Sequence, residues 1–269
     1  MIIFPGSKIN IGLEIINKRD DGFHDLETVF YPLPWSDIIE GVVAEHDTVT
    51  FSGLHIDGDI DDNLIVRAVN ILRNDYDFEK VHLHLHKVVP MGAGLGGGSA
   101  DAAATLLLLN SLFQLALSSD VMEEYARKLG SDCAFFIRNK PVFACGKGDV
   151  FTDVSLNLSG WKILVIKPKV HVGTEEAYAG VVPKKSGNSL VESVNKPVNQ
   201  WNDLVKNDFE QSVFKKYPEI ESIKKYLKET GADYTAMSGS GASVYGLFSS
   251  EKEIQQPEMD NIISWWGEL

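Results

Sequence analysis

Apolar and polar residues alternate along Ser7-Lys8-Ile9-Asn10-Ile11-Gly12-Leu13-Glu14-Ile15. Ile9, Ile11, Leu13 and Ile15 fall on one side, and Lys8, Asn10 and Gly12 on the other. A period of two predicts a half-buried strand. The same period returns in Val81-His82-Leu83-His84-Leu85-His86-Lys87-Val88, and further strands are expected over 28–33, 38–44 and 47–51. Asp57 to Asp62 reads as an acidic turn, after which Leu64, Val66 and Val69 to Leu72 have helical spacing within 63–74. From Ala102 to Leu109 the chain is almost wholly apolar and rich in helix formers, which predicts a helix buried on most sides. Residues 118–130 predict an amphipathic helix with Ser119 or Asp120 as N-cap and Gly130 as C-cap.

Beyond Gly130 the pattern predicts an apolar strand over Cys133 to Ile137, then a strand and glycine turn over Val142 to Asp149. The polar stretch 151–160 is expected as a loop and a domain boundary, giving domains at 1–152 and 153–269. The second domain opens with a strand over 161–166. A surface loop with at most a short helix is expected over 184–200, and helices over 203–214 and 218–229. Tyr234 to Phe248 reads as strand, tight turn at Gly239 and Gly241, strand. No internal repeat is present. Strands and helices mix without strict alternation, which favours an α+β fold.

One stretch stands apart: Pro90-Met91-Gly92-Ala93-Gly94-Leu95-Gly96-Gly97-Gly98-Ser99-Ala100-Asp101 holds five glycines between a strand and a helix. Glycine lets the backbone take positive φ and lets another group approach closely. Bare amides leading into a helix N-terminus make an anion cradle, most often for phosphate. No Gly-Lys-Ser/Thr ending follows, so it is not a Walker loop. Gly92, Gly94 and Gly97 match the dinucleotide fingerprint, but the following segment is a second helix rather than the parallel strand that fold needs, and the preceding strand alternates.

Composition narrows the partners. Net charge is −13, which argues against nucleic acid or an anionic membrane surface and requires any phosphate site to be locally electropositive. No apolar run is long enough to span a bilayer, and Met1 to Pro5 lacks the features of a signal peptide. The two cysteines, Cys133 and Cys145, imply neither a disulfide framework nor a metal motif, so the cytoplasm is expected. His82, His84 and His86 share a strand face that reads as solvated rather than as a metal site. Asp132 lies between a helix end and an apolar segment, where a carboxylate needs a partner, a cap or a chemical task.

Lys8-Ile9-Asn10, the 90–100 loop and Ser238-Gly239-Ser240-Gly241-Ala242, in that order, resemble the GHMP kinases over nearly the whole chain. The Arg19-Asp20-Asp21-Gly22-Phe23-His24 turn, Leu95-Gly96-Gly97-Gly98-Ser99, Gly130-Ser131-Asp132 and Asn207-Asp208-Phe209-Glu210 point within that family to the branch acting on a cytidine diphosphate sugar alcohol. The resemblance implies two α+β domains with the active site in the cleft between them, ATP and Mg²⁺ as cofactors, and phosphorylation of a tertiary hydroxyl in isoprenoid precursor synthesis. It implies Asp132 as general base, Lys8 as the cation beside it, and Pro90, Met91, Gly92, Ala93, Gly94, Leu95, Gly96, Gly97, Gly98, Ser99 and Ala100 around the ATP phosphates. It assigns Asn10, Phe23, His24, Thr174, Tyr178, Gly239, Ser240 and Gly241 to the substrate, with His24 reading the cytosine edge, and names no residue as a metal ligand. Two departures stand out: Phe23 replaces the usual tyrosine, leaving stacking without the hydroxyl, and Ala134 stands where proline is frequent. The expected protein is a monomer or homodimer. The competing readings are a mevalonate- or homoserine-type kinase, against which the Gly22-Phe23-His24 loop and the triple glycine speak, and a non-catalytic nucleotide-binding regulator, against which Lys8 and Asp132 speak.

Overall fold

The computed structural model describes residues 1–184 and 187–269. In chain order the elements are β1 (Ile2–Ile3), β2 (Ser7–Lys18), β3 (His24–Leu33), β4 (Ile38–Val43), β5 (Thr48–Gly53), α1 (Leu64–Arg73), β6 (Val81–Lys87), α2 (Gly97–Leu112), α3 (Ser119–Leu129), α4 (Cys133–Arg138), β7 (Val142–Cys145) and β8 (Val150–Asp153). There follow β9 (Lys162–Pro168), α5 (Thr174–Ala179), α6 (Leu190–Val194), α7 (Trp201–Leu204), α8 (Glu210–Lys216), α9 (Pro218–Glu229), β10 (Tyr234–Met237), β11 (Val244–Phe248) and β12 (Ile262–Glu268). The chain divides into two compact α+β units. The first is Met1–Ser7, Trp35–Met91 and Gly96–Lys140; the second is Lys8–Pro34, Gly92–Leu95 and Pro141–Leu269.

In the first unit a sheet of order β1-β4-β6-β5 is antiparallel except for the β5–β6 pair. The alternation in β6 buries Val81, Leu83 and Leu85, and Lys87 in the same phase, while the histidines are half-buried. Helix α2 contacts α1, α3, α4 and β4, which is why its sequence carries no polar stripe. A Cβ at Gly41 would lie 2.5 Å from Leu108, so glycine lets α2 approach β4.

The second unit holds two four-stranded sheets, β2-β3-β7-β8 and β10-β11-β9-β12. Its core joins Leu13, Ile15, Leu164, Ile166, Phe209, Ile220 and Phe248. Strand β2 is buried on both faces from Ser7 to Ile15, so Lys8 and Asn10 are interior rather than outward residues.

Several expectations change. Cys133 to Ile137 is helix, not strand; all five residues are buried, and a short, wholly apolar run carries no period to tell the two apart. Ser118, not Ser119 or Asp120, caps α3, accepting from the Val121 amide. The stretch expected as a loop from 151 begins inside β8. The helix expected over 203–214 is interrupted, because Lys206 O accepts from Leu13 N and Asp208 N donates to Leu13 O, joining the break to β2. Strand β12 was not foreseen. Of the 184–200 stretch, 185 and 186 lie outside the described residues; the rest contains α6 and one turn of 3₁₀ helix at Val198–Gln200.

Candidate active site

Strand β6 leads to Pro90, and α2 leaves from Gly97. Between them Gly92, Gly94 and Gly96 have φ of +58°, +75° and +69°, a region that favours glycine. A Cβ on Gly94 would lie 1.9 Å from the Ser238 carbonyl oxygen, so no side chain fits there. Gly96 is the N-cap of α2 and supplies no side-chain acceptor. The amides of the first turn therefore keep their capacity for an anion, at the positive end of a 16-residue helix.

In the second unit three sequence-distant motifs meet. Lys8 Nζ donates to Asn10 Oδ1 at 2.5 Å and lies 4.8 Å from the centre of the Phe30 ring. Asn10 Nδ2 donates to Thr28 Oγ1, which donates to the Gly12 carbonyl. This chain of donors fixes the amide so that its oxygen faces the ammonium. The Asn10 backbone amide donates to Ser238 Oγ (3.1 Å), and Ser238 Oγ donates to Gly94 O (2.8 Å). Lys8 N donates to Leu95 O, and Ser243 N to Ala93 O. Asn207 Nδ2 donates to the carbonyls of Met237 and Gly239, holding the β10–β11 turn. Lys8 is 4% exposed and Asn10 3%.

A cavity of about 720 Å³ opens in the same unit, lined by Lys18, Phe23, His24, Lys147, Thr174 and Tyr178 among others. His24 stacks on Tyr178 with ring centroids 4.7 Å apart and planes at 21°. Phe209 meets the Tyr178 ring edge-on at 4.9 Å, setting its orientation. Phe23 is exposed, and Lys147 Nζ lies 4.8 Å from its ring centre. The Arg19 guanidinium, with Lys147 nearby, holds the Asp21 carboxyl below its ordinary range. Thr174 Oγ1 lies 3.5 Å from Ser240 Oγ. Lys147 and Lys18 were passed over in the sequence; glycines on both sides of Lys147 were the available signal.

In the first unit Asp132 is half-buried at the N-cap position of α4, without capping it through its side chain. The next residue, Cys133, is in hydrogen-bond reach of Ser99 in the first turn of α2, and burial pushes its thiol up to about 11. Asp132 thus directly precedes a residue anchored against the exit of the glycine loop. His82, His84 and His86 do lie on one face, where Thr48, Thr50 and Ser52 of β5 bond to their ring nitrogens at 2.6–2.9 Å. Among the described residues no group of three or more His, Cys, Asp or Glu side chains is placed to hold a metal ion. No described helix is long and apolar enough to cross a membrane.

Residues 63–140 match the family model for the GHMP kinases N terminal domain, and 190–265 the model for the GHMP kinases C terminal. The chain is 48% identical over 273 residues to a 4-diphosphocytidyl-2-C-methyl-D-erythritol kinase of Bacteroides fragilis, covering 100% of both. A crystal structure of 4-(cytidine 5'-diphospho)-2C-methyl-D-erythritol kinase superposes with a TM-score of 0.76 at 28% identity, covering 92% of this chain and 90% of that one. The Methanococcus jannaschii mevalonate kinase superposes with a TM-score of 0.70 over 100% of this chain and 98% of that one, but at 12% identity it shares the fold alone.

Proposed function

Because the chain belongs to the GHMP kinases, we propose that it acts as a 4-diphosphocytidyl-2-C-methyl-D-erythritol kinase, moving the γ-phosphoryl group of ATP to the 2-hydroxyl of that substrate in the methylerythritol phosphate route to isoprenoid precursors. The observation that carries this reading is the cavity of the second unit. It is lined by Phe23, by His24 stacked on Tyr178, and by the ammonium groups of Lys18 and Lys147, together with the carboxylates of Asp21 and Glu175. Aromatic faces suit a pyrimidine, and ammonium groups suit a diphosphate. Full-length identity to relatives of that name points the same way.

In this reading the amides of residues 90–100 wrap the ATP phosphates. Asp132 removes the proton of the 2-hydroxyl, the freed oxygen attacks the γ-phosphorus in line, and the bond to the β-phosphate oxygen breaks as ADP leaves with its electron pair. Lys8 offsets charge on the attacking oxygen, and the Lys8–Asn10 bond holds its ammonium in one direction. Phosphoryl transfer has a loose transition state, so positioning and charge compensation supply most of the catalysis. Mg²⁺ would enter with ATP as part of the substrate and would supply charge neutralisation on its phosphates. His24 hydrogen-bonds the cytosine edge, Phe23 and Tyr178 stack, and Thr174 with Gly239, Ser240 and Gly241 borders the rest of the acceptor. What supports Lys8 and Asp132 as partners is that each is tied, in its own unit, to a part of the same loop: Lys8 to Leu95, and the neighbour of Asp132 to Ser99.

The proposed domains are 1–152 and 153–269, with the two family-model matches on either side of that division. The protein is proposed to work in the cytoplasm as a monomer or homodimer. The test is release of ADP from ATP and Mg²⁺ with three acceptors offered separately: the diphosphocytidyl alcohol, mevalonate and homoserine. ADP release with the first alone is expected. Release with either of the others instead would reassign the substrate, and nucleotide binding without release would favour a regulator.

A further inference from the structure

The sequence places one more lysine beside the glycine loop, and the structure buries it completely. Lys87 ends β6, three residues before Pro90, and its side chain is 0% exposed. Its Nζ donates to Asp37 Oδ2 at 2.5 Å and to Asp101 Oδ2 at 2.6 Å. Asp37 Oδ1 in turn accepts from the backbone amides of Val88 and Val89, which form the entry stem of the loop. Asp101 lies in the second turn of α2, the exit stem. A Cβ on Gly97 would lie 3.1 Å from Lys87 Nζ, so the ammonium passes directly against the first helical residue. All of these groups belong to the first unit.

Buried ions cost several kcal/mol each unless they are paired and hydrogen-bonded. Here one ammonium faces two carboxylates, and Asp101 Oδ1 has no partner among the described residues. Asp101 also lies in hydrogen-bond reach of Asp37, and burial, opposed by Lys87 and reinforced by Asp37, pushes its carboxyl up to about 7. Such an arrangement is poor as plain stabilisation, since apolar residues of the same volume would serve as well. What it does provide is direction: three hydrogen bonds gather Lys87, Val88 and Val89 around Asp37 before the loop, and a fourth, from Lys87 to Asp101, ties that stem to the helix after it.

We propose that Asp37, Lys87 and Asp101 form a buried clasp that fixes the spacing of the two stems of the glycine loop and so sets how tightly the loop holds the phosphates of ATP. Lys87 and Asp101 are positioning residues and touch no ligand. The inference rests on the reading that the loop binds ATP.

The test uses the full chain. The unsubstituted protein should be stabilised by ATP and Mg²⁺ in a thermal-shift measurement; no shift would overturn the loop assignment itself, and the clasp with it. Asp101→Ala leaves Lys87 and Asp37 as a balanced pair but cuts the tie to α2. It should raise KM for ATP about 10- to 100-fold, the cost of misplacing a binding element by about an ångström. KM for the alcohol should stay unchanged and kcat within about threefold. Asp101→Asn keeps an oxygen for Lys87 and should return KM for ATP to near its original value. If Asp101→Ala does not fold, Asp101→Ser, too short to reach Lys87, carries the same expectation. A lowered Tm with KM for ATP unmoved, or an Asn variant as impaired as the Ala one, would overturn the clasp and leave the loop assignment standing.

Discussion

The two units treat charge in opposite ways. In the first, Lys87, Asp37 and Asp101 are buried and answer one another. In the second, Lys18 and Lys147 line a cavity of about 720 Å³ that the carboxylates of Asp21 and Glu175 also line, and Lys147 lies over the Phe23 ring. Charges satisfied inside the protein fix a geometry before any ligand arrives. Charges facing an opening leave their strongest partner to the ligand. In the proposed function these are two separate jobs: a cradle for the phosphates of ATP, and a pocket for one acceptor.

The comparison can be broken in order of effect. The largest belongs to Asp132, which lies in the first unit but outside the buried Asp37–Lys87–Asp101 cluster. Asp132→Asn should reduce turnover by orders of magnitude while ATP and acceptor still bind, measured by steady-state kinetics and thermal shift. Next comes Lys87→Met, which leaves two buried carboxyls without their cation and should cost about 3–5 kcal/mol in urea unfolding. Lys147→Met, a cation lost from the open region, should cost less than about 1 kcal/mol and raise KM for the acceptor instead. Equal losses for the two lysines would erase the distinction. Tyr178→Ala removes a stacking face worth about 1–3 kcal/mol per base; acceptor KM should rise about tenfold, with KM for ATP unmoved.

The smallest effect is a slope. The folded state holds the Asp101 proton more tightly than the unfolded chain does, because its carboxyl is raised from 3.8 to about 7. Stability from this group is full below pH 3.8 and lost as pH rises toward about 7. Asp101→Asn does not titrate, so its stability relative to the parent should grow across that window, by at most about 1.4 kcal/mol per pH unit. Unfolding curves at a series of pH values would show it; parallel profiles would mean the carboxyl stays ionised.

What was legible in the sequence was local. The β10–β11 hairpin, α9 and the strand–glycine–helix succession around residue 90 follow from period and turn chemistry within short windows. Cys133 to Ile137 was misread because five apolar residues fit a strand and a helix equally well. The break between α7 and α8 was hidden because its cause is a partner far away in the chain: the Leu13 amide donates to the Lys206 carbonyl and the Asp208 amide donates to the Leu13 carbonyl. Of the candidate site, the motif residues were visible singly, but their joining through Ser238 Oγ was not, since that hydroxyl bridges Asn10 and Gly94 from opposite ends of the sequence. Lys87 carried an unread signal. It shares the phase of Val81, Leu83 and Leu85, so the alternation that makes β6 a strand also sends this lysine inward.

The most direct measurement is phosphorus NMR of the protein incubated with ATP, Mg²⁺ and diphosphocytidyl-methylerythritol. A new phosphomonoester resonance should grow in step with ADP, with the diphosphate signals of the acceptor retained, and should be missing with Asp132→Asn. Consumption of ATP that yields only inorganic phosphate, or a phosphomonoester formed equally well by Asp132→Asn, would contradict the account.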